Sequence, residues 1–251
     1  MTKSYNKSDI ISRLVSYIHS NNCKNLYKDS SLNYKGETKD TKENYSKVIV
    51  DYLVKHIEDF KNGMSNITVT RNKGKSYKTK GHDGESFFDF DKHPKGERRE
   101  EKIAHAMYCQ YKDKPAAFGK ILDYQIPLKN TNADKDLGKI DLLSAREGTK
   151  LGSKKVYFLE LKKDDSKETL LRCILEAFTY SKTIDKKKLC KDFSLFYDNC
   201  EFVVAPLVYK FDGFEKQLEI VEPLINLLGI QVEIFTWEHN SNGYRIESLK
   251  K

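Results

Sequence analysis

The sequence predicts an α/β (α+β) fold, a mixed central sheet flanked by helices with a helical extension ahead of it. Three observations predict this. From residue 97 onward, helix-period and strand-length apolar segments follow one another in the order α-β-β-β-α-β-α-β-β. Several strand segments are apolar at consecutive positions, as at residues 156–159 (Val-Tyr-Phe-Leu), the pattern of a sheet covered on both faces. Aromatic residues make up 12% of the 251 positions, enough core material for a globular chain even with 33% charged residues.

Residues 1–95 read as the helical and loop extension and residues 96–251 as the main domain. In the extension, Ile10, Ile11, Leu14, Val15 and Ile18 recur at helical spacing behind Ser8 and Asp9 as capping residues. A polar stretch over 21–40 separates this helix from a second over 44–61, with Val48, Tyr52, Leu53, Ile57 and Phe60 on one face. Residues 63–96 read as a connector with a short strand at 67–70. A lysine- and glycine-rich loop over 73–83 suits solvent or, as an arm, phosphate.

In the main domain the pattern predicts a helix over 97–111 and strands over 121–128, 139–144 and 155–161. A helix over 166–183 follows, its apolar stripe made by Leu170, Leu171, Ile174, Leu175 and Phe178. A strand over 201–209 holds Pro206 near its end, and a helix over 214–228 stops at Gly229, a residue suited to a C-cap. Strands over 230–237 and 244–249 complete the order, with the lone Trp237 packed at a strand end.

Formal charge is +8 and the pI near 9.0, a balance that favours anionic partners. Five cysteines, an odd number without a C-x-x-C pair, argue against a disulfide framework or a zinc knuckle and suit a reduced, cytoplasmic setting. No apolar run approaches the roughly 18 residues of a membrane span, and no apolar leader follows Met1, so no membrane association is expected. Gly-rich phosphate loops and the G-x-S-x-G elbow are missing. His82, His93 and His105 lack ligand spacing, and His82, Asp83 and Asp91 read as part of a polar loop.

The chemistry concentrates on two adjacent strands. Leu-Gly-Lys-Ile-Asp-Leu-Leu sets Asp141 inside an apolar run, and Val-Tyr-Phe-Leu-Glu-Leu-Lys sets Glu160 and Lys162 at the end of another. A buried carboxylate is costly unless it is paired or bound to metal. Strand alternation points Glu160 and Lys162 to one face, and Asp141 joins it if the two strands pair. Two carboxylates and an amine at one sheet end suit Mg²⁺, with Mn²⁺ as a substitute, because hard cations take oxygen ligands and keep several waters. Lys162 would then orient a water or offset developing negative charge.

Gly-Lys-Ile-Asp followed by Phe-Leu-Glu-Leu-Lys resembles the PD-(D/E)xK nuclease superfamily, over about residues 97–209. Ile140 stands where the strict motif has proline. The resemblance implies a restriction-endonuclease-like αβββαβ core and a Mg²⁺-dependent deoxyribonuclease, with Asp141, Glu160 and the Leu161 carbonyl as metal ligands and Lys162 positioning water. It also implies a further acid on the preceding helix. Glu100 shares a face with Ile103 and Met107, Glu101 with Ala104 and Tyr108, and either fits. Arg172, Glu176 and Tyr180, spaced i, i+4, i+8, occupy the place of that family's Gln-x-x-x-Tyr face, for phosphate and for holding Lys162. The expected partner is nucleic acid, DNA ahead of RNA, and a homodimer would suit cutting two strands. RNA cleavage and a non-catalytic binding module on the same scaffold stay as alternatives.

Overall fold

The computed structural model describes residues 5–20, 22–84, 94–131, 134, 137–211 and 213–249. Asp91 and His93, singled out in the sequence, lie outside them.

One sheet organises the chain. Its strands are β1 (Lys120–Pro127), β2 (Lys139–Glu147), β3 (Lys154–Lys162), β4 (Cys200–Tyr209), β5 (Gln231–Val232), β6 (Phe235–Asn240) and β7 (Gly243–Ser248). They lie in the order β1-β2-β3-β4-β6-β7, with the short β5 beside β4. β1, β2 and β3 pair antiparallel, β3 and β4 parallel, β4 and β6 parallel, and β6 and β7 antiparallel. The sheet is therefore mixed, as the sequence predicts. The parallel steps need crossovers. Helices α5 (Leu170–Thr183) and α6 (Lys186–Asp192) supply the one from β3 to β4, and α7 (Phe214–Ile225) the one from β4 towards β6.

Alternation along the strands fills two cores. Tyr157, Leu159 and Leu161 of β3, with Val203, Ala205 and Leu207 of β4, pack against Ile103, Ala104 and Met107 of helix α4 (Arg99–Tyr111). Val156 and Phe158 of β3, with Val204 and Val208 of β4, face α5 and α7. The N-terminal helices α1 (Lys7–His19), α2 (Tyr45–Lys55) and α3 (Ile57–Gly63) bury Ile10, Leu14, Val48, Leu53 and Phe60 in that same second core. At roughly 1.5–3 kcal/mol per fully buried large apolar side chain, these two layers dominate the folding energy.

The structure corrects four local expectations. The single helix over 44–61 is two: the chain leaves helical geometry at His56 (φ −114°, ψ 31°), whose ring stacks on Tyr52 at 4.4 Å. No strand forms at 67–70; Val69 N–H donates to the Thr183 carbonyl (2.8 Å), so this segment ties to the end of α5 and not to the sheet. The segment over 230–237 breaks into β5 and β6, and β6 continues past Trp237. Helix α6 went unpredicted. Pro206 sits inside a central strand, where proline is disfavoured. It falls where the neighbour of β4 changes from β5 to β6, so no ladder runs along that edge beside it.

Gly119 turns the chain into β1 at φ +88°, and a Cβ there would lie 2.1 Å from the Ala145 carbonyl oxygen of β2. Both strain and overlap penalise any side chain. Gly119→Ala should cost at least about 2 kcal/mol, seen in thermal melting as a fall of roughly 4–8 °C.

Candidate active site

The ladder between β2 and β3 ends at Leu142–Leu159, and one step further the register sets Asp141 opposite Glu160. Beyond this step β3 continues alone on that side, and side chains take over the bonding. Asp141 Oδ2 accepts from the Leu161 N–H (2.9 Å), and Oδ1 accepts from Gln125 Nε2 (2.8 Å). Gln125 lies opposite Asp141 on β1 and takes a left-handed backbone (φ 51°), costly for a non-glycine residue and tolerated where surrounding structure enforces it.

Glu160 and Lys162 share the face of β3 that looks towards α5. The Lys162 ammonium lies 2.7 Å from Glu160, 2.8 Å from Glu168 and 3.0 Å from Glu176, and is only 7% exposed as a residue. Glu176 Oε1 accepts from the Tyr180 hydroxyl at 2.8 Å. A Cβ at Gly138, three residues before Asp141, would lie 2.2 Å from that hydroxyl, so the bare glycine makes room for Tyr180. Arg172 donates to Asn33 Oδ1 (3.0 Å) and pairs with Glu168 (3.1 Å), which links this face of α5 to the N-terminal extension.

Two further contacts fix the end of β3. Trp237, buried in β6, donates from Nε1 to the Lys162 carbonyl (3.0 Å). At the start of α4, Arg99 pairs with Asp164 (2.6 Å), and Glu100 Oε1 accepts from the Lys163 N–H (3.2 Å). Of the two candidate acids on α4, Glu100 thus reaches the end of β3. Glu101 instead lines a shallow hollow with Arg98, Lys102, His105 and Tyr124.

Asp141, Glu160, Lys162, Glu176 and Tyr180 therefore come together, with Glu100 beside them and Arg172 held one turn away. Sequence reading missed Glu168, Gln125 and Trp237. Glu168 sits in the loop before α5, where one acid among many charged residues gives no signal. The other two act through contacts across the sheet.

The electrostatics are strained. Burial pushes the Asp141 carboxyl up to about 7, while the Lys162 charge and the Leu161 N–H pull the other way. Burial and then the neighbouring Asp141 and Glu176 hold Glu160 well above the usual carboxylate range. For Lys162 burial opposes the charge, but Glu160 and Glu176 outweigh it and hold the ammonium well above its ordinary value. Burial would raise Glu176 too, yet the Lys162 charge and hydrogen bond bring it below its ordinary value. Among the described residues, Glu160 Oε2 is buried without a hydrogen-bond partner. Among the described residues, no three His, Cys, Asp or Glu side chains gather closely enough to hold a metal unaided. Two adjacent carboxylates with one oxygen unsatisfied nonetheless fit a hard cation that completes its shell with water.

No family model, curated protein or solved structure matches the chain. Among the described residues no helix is long and apolar enough to cross a membrane.

A carboxyl held up to about 7 takes up a proton on folding between its unfolded value near 4 and that point. Its stability contribution is full below the unfolded value and lost as pH rises to about 7. Asp141→Asn should therefore raise the melting temperature at pH 8 and lose that advantage near pH 4. Lys162→Ala should do the opposite, costing about 3–5 kcal/mol by leaving buried carboxylates unpaired. The alanine variant is thus no neutral probe of Lys162.

Proposed function

We propose that the chain is a divalent-metal-dependent nuclease that hydrolyses DNA phosphodiester bonds on a restriction-endonuclease-like core. The observation that carries this reading is the convergence of Asp141 and Glu160 with the Lys162 ammonium at the open end of the β2–β3 ladder. The element order from α4 through β1, β2, β3 and α5 to β4, with α6 and a short 3-10 turn (Tyr197–Asn199) ahead of β4, agrees with the αβββαβ core that the motif implies.

Asp141 and Glu160, with the Leu161 carbonyl, would hold Mg²⁺ or Mn²⁺, and Glu100 stands near enough to β3 to join through water. When bound, the ion would polarise a phosphodiester oxygen and lower the pKa of a water molecule. The remaining chemistry belongs to the chain. Lys162, charged and fixed by three carboxylates, would orient the attacking water and offset the negative charge that grows on the phosphoryl oxygens. Glu176 keeps that ammonium in place, and Tyr180 keeps Glu176 in place. Gln125 holds Asp141 against rotation. A buried Asp–Glu pair that destabilises the fold is a cost expected where geometry serves chemistry.

Purified protein incubated with single- and double-stranded DNA and RNA, with Mg²⁺, Mn²⁺ or chelator, tests the reading. DNA cleavage should require metal and fall roughly a hundred- to a thousandfold in Asp141→Asn, the size of loss typical when a preorganised charge-stabilising group is removed. Cleavage confined to RNA would change the substrate. Nucleic-acid binding without cleavage under every metal condition would favour a non-catalytic module.

A further inference from the structure

Helix α6 and the turn after it form a surface that the candidate site does not use. The parallel register pairs Lys154 with Cys200 at one end of β3–β4 and Lys162 with Val208 at the other. Eight residues at about 3.3 Å each put the α6 turn roughly 26 Å along the strands from Lys162.

Lysines and aromatic rings alternate there. Lys182 lies over Phe178 at 5.4 Å, Lys186 over Phe202 at 5.0 Å and Lys187 over Tyr197 at 5.6 Å. These rings support the lysine stems without neutralising them. Among the described residues, none of Lys182, Lys186, Lys187 and Lys191 is in an ion pair with a carboxylate. Of the three acids in this stretch, Asp185 caps α6 and Asp192 pairs with Lys188, which leaves Asp198 exposed. Burial pulls Lys186 down to about 8, with a smaller contribution from the neighbouring Lys182 charge. Beside them Phe196 is 80% exposed and Tyr197 38%.

The lysine-rich loop docks against this surface. Asp192 accepts from the Tyr77 N–H (2.8 Å), and the Tyr77 hydroxyl accepts from the Asp185 N–H (3.1 Å). Arg71 braces the loop through the carbonyls of Pro127 and Ser76. The loop is thus pinned at Tyr77, with Lys73 and Lys80 exposed on either side of that buried ring.

We infer that the end of α5, helix α6 and the 193–199 turn form a second, non-catalytic docking surface for single-stranded DNA, with Lys182, Lys186, Lys187 and Lys191 on phosphates and Phe196 and Tyr197 stacking on bases. This rests on the reading of DNA as the substrate. Unpaired lysines supply the salt-dependent attraction of a polyanion. Solvent-facing rings between them favour unpaired bases over duplex, a lipid surface or an acidic protein, because only single strands offer free base faces at the spacing of their phosphates.

The test is fluorescence anisotropy of a labelled oligo-dT with the full chain in chelator, so that cleavage cannot interfere. Phe196→Ala with Tyr197→Ala should weaken binding about fivefold or more, as loss of base stacking does. Changing the four lysines to Gln should weaken it at least tenfold and flatten the log–log salt dependence by up to about 0.7 per lost phosphate contact. All of these side chains but Lys182 and Lys186 are exposed, and unchanged melting curves would verify folding. Wild-type affinity in both variants would overturn the proposal, as would phosphatidylserine vesicles binding in a patch-dependent way where oligo-dT does not. Cleavage of the same oligonucleotide with Mg²⁺ separates the two readings. Patch-dependent binding without metal-dependent cleavage keeps this surface and removes the nuclease, whereas Asp141-dependent cleavage with patch-independent binding does the reverse.

Discussion

A single buried ammonium holds the candidate site together. Lys162 sits among Glu160, Glu168 and Glu176, and without its charge those acids would share a space with little water. Each carboxylate arrives from a different place: the end of β3, the loop before α5, and the body of α5. The ammonium therefore ties the end of the central strand to the crossover helix. Arg172 shares Glu168 with it, and among the described residues no cation pairs directly with Asp141, which stands opposite Glu160. Burial and crowding hold Asp141 and Glu160 towards their protonated forms, and a bound cation, as proposed above, would relieve that cost.

The rest of the architecture delivers this geometry. The β2–β3 ladder stops one residue short of Asp141, which frees the Leu161 N–H for a side-chain acceptor. Trp237 from β6 and Glu100 from α4 then anchor Lys162 and Lys163 on main-chain atoms, so the frayed strand end stays fixed on both sides. The N-terminal helices bury their apolar faces in the core under α5, and Asn33 reaches Arg172. The extension thus bears on the helix that carries Glu176 and Tyr180.

Much of this was legible from residue patterns. Strong apolar runs fixed β1 to β4 and α5 within a few residues, because burial on both faces leaves a dense signal. Asp141, Glu160 and Lys162 stood out as charges within those runs. Helix α6 did not, since five of its seven residues are charged and no apolar stripe marks it. The break at His56 was hidden because apolar periodicity continues through it, in Leu53, Ile57 and Phe60. Long-range partners were invisible for another reason. Nothing in the local sequence says that Gln125 will face Asp141 or that Trp237 will reach Lys162. Those contacts follow from strand order, which periodicity does not encode.

On this reading Asp141 is a carboxyl raised by burial, a cost that a bound cation would relieve. The most direct measurement is its titration by carbon-13 NMR of Asp-labelled protein, with the Asp141 signal assigned by its loss in Asp141→Asn. A midpoint near 7 is expected without metal, falling by at least one unit when Mg²⁺ is added. A midpoint at the ordinary value near 4, unmoved by Mg²⁺ or Mn²⁺, would contradict it.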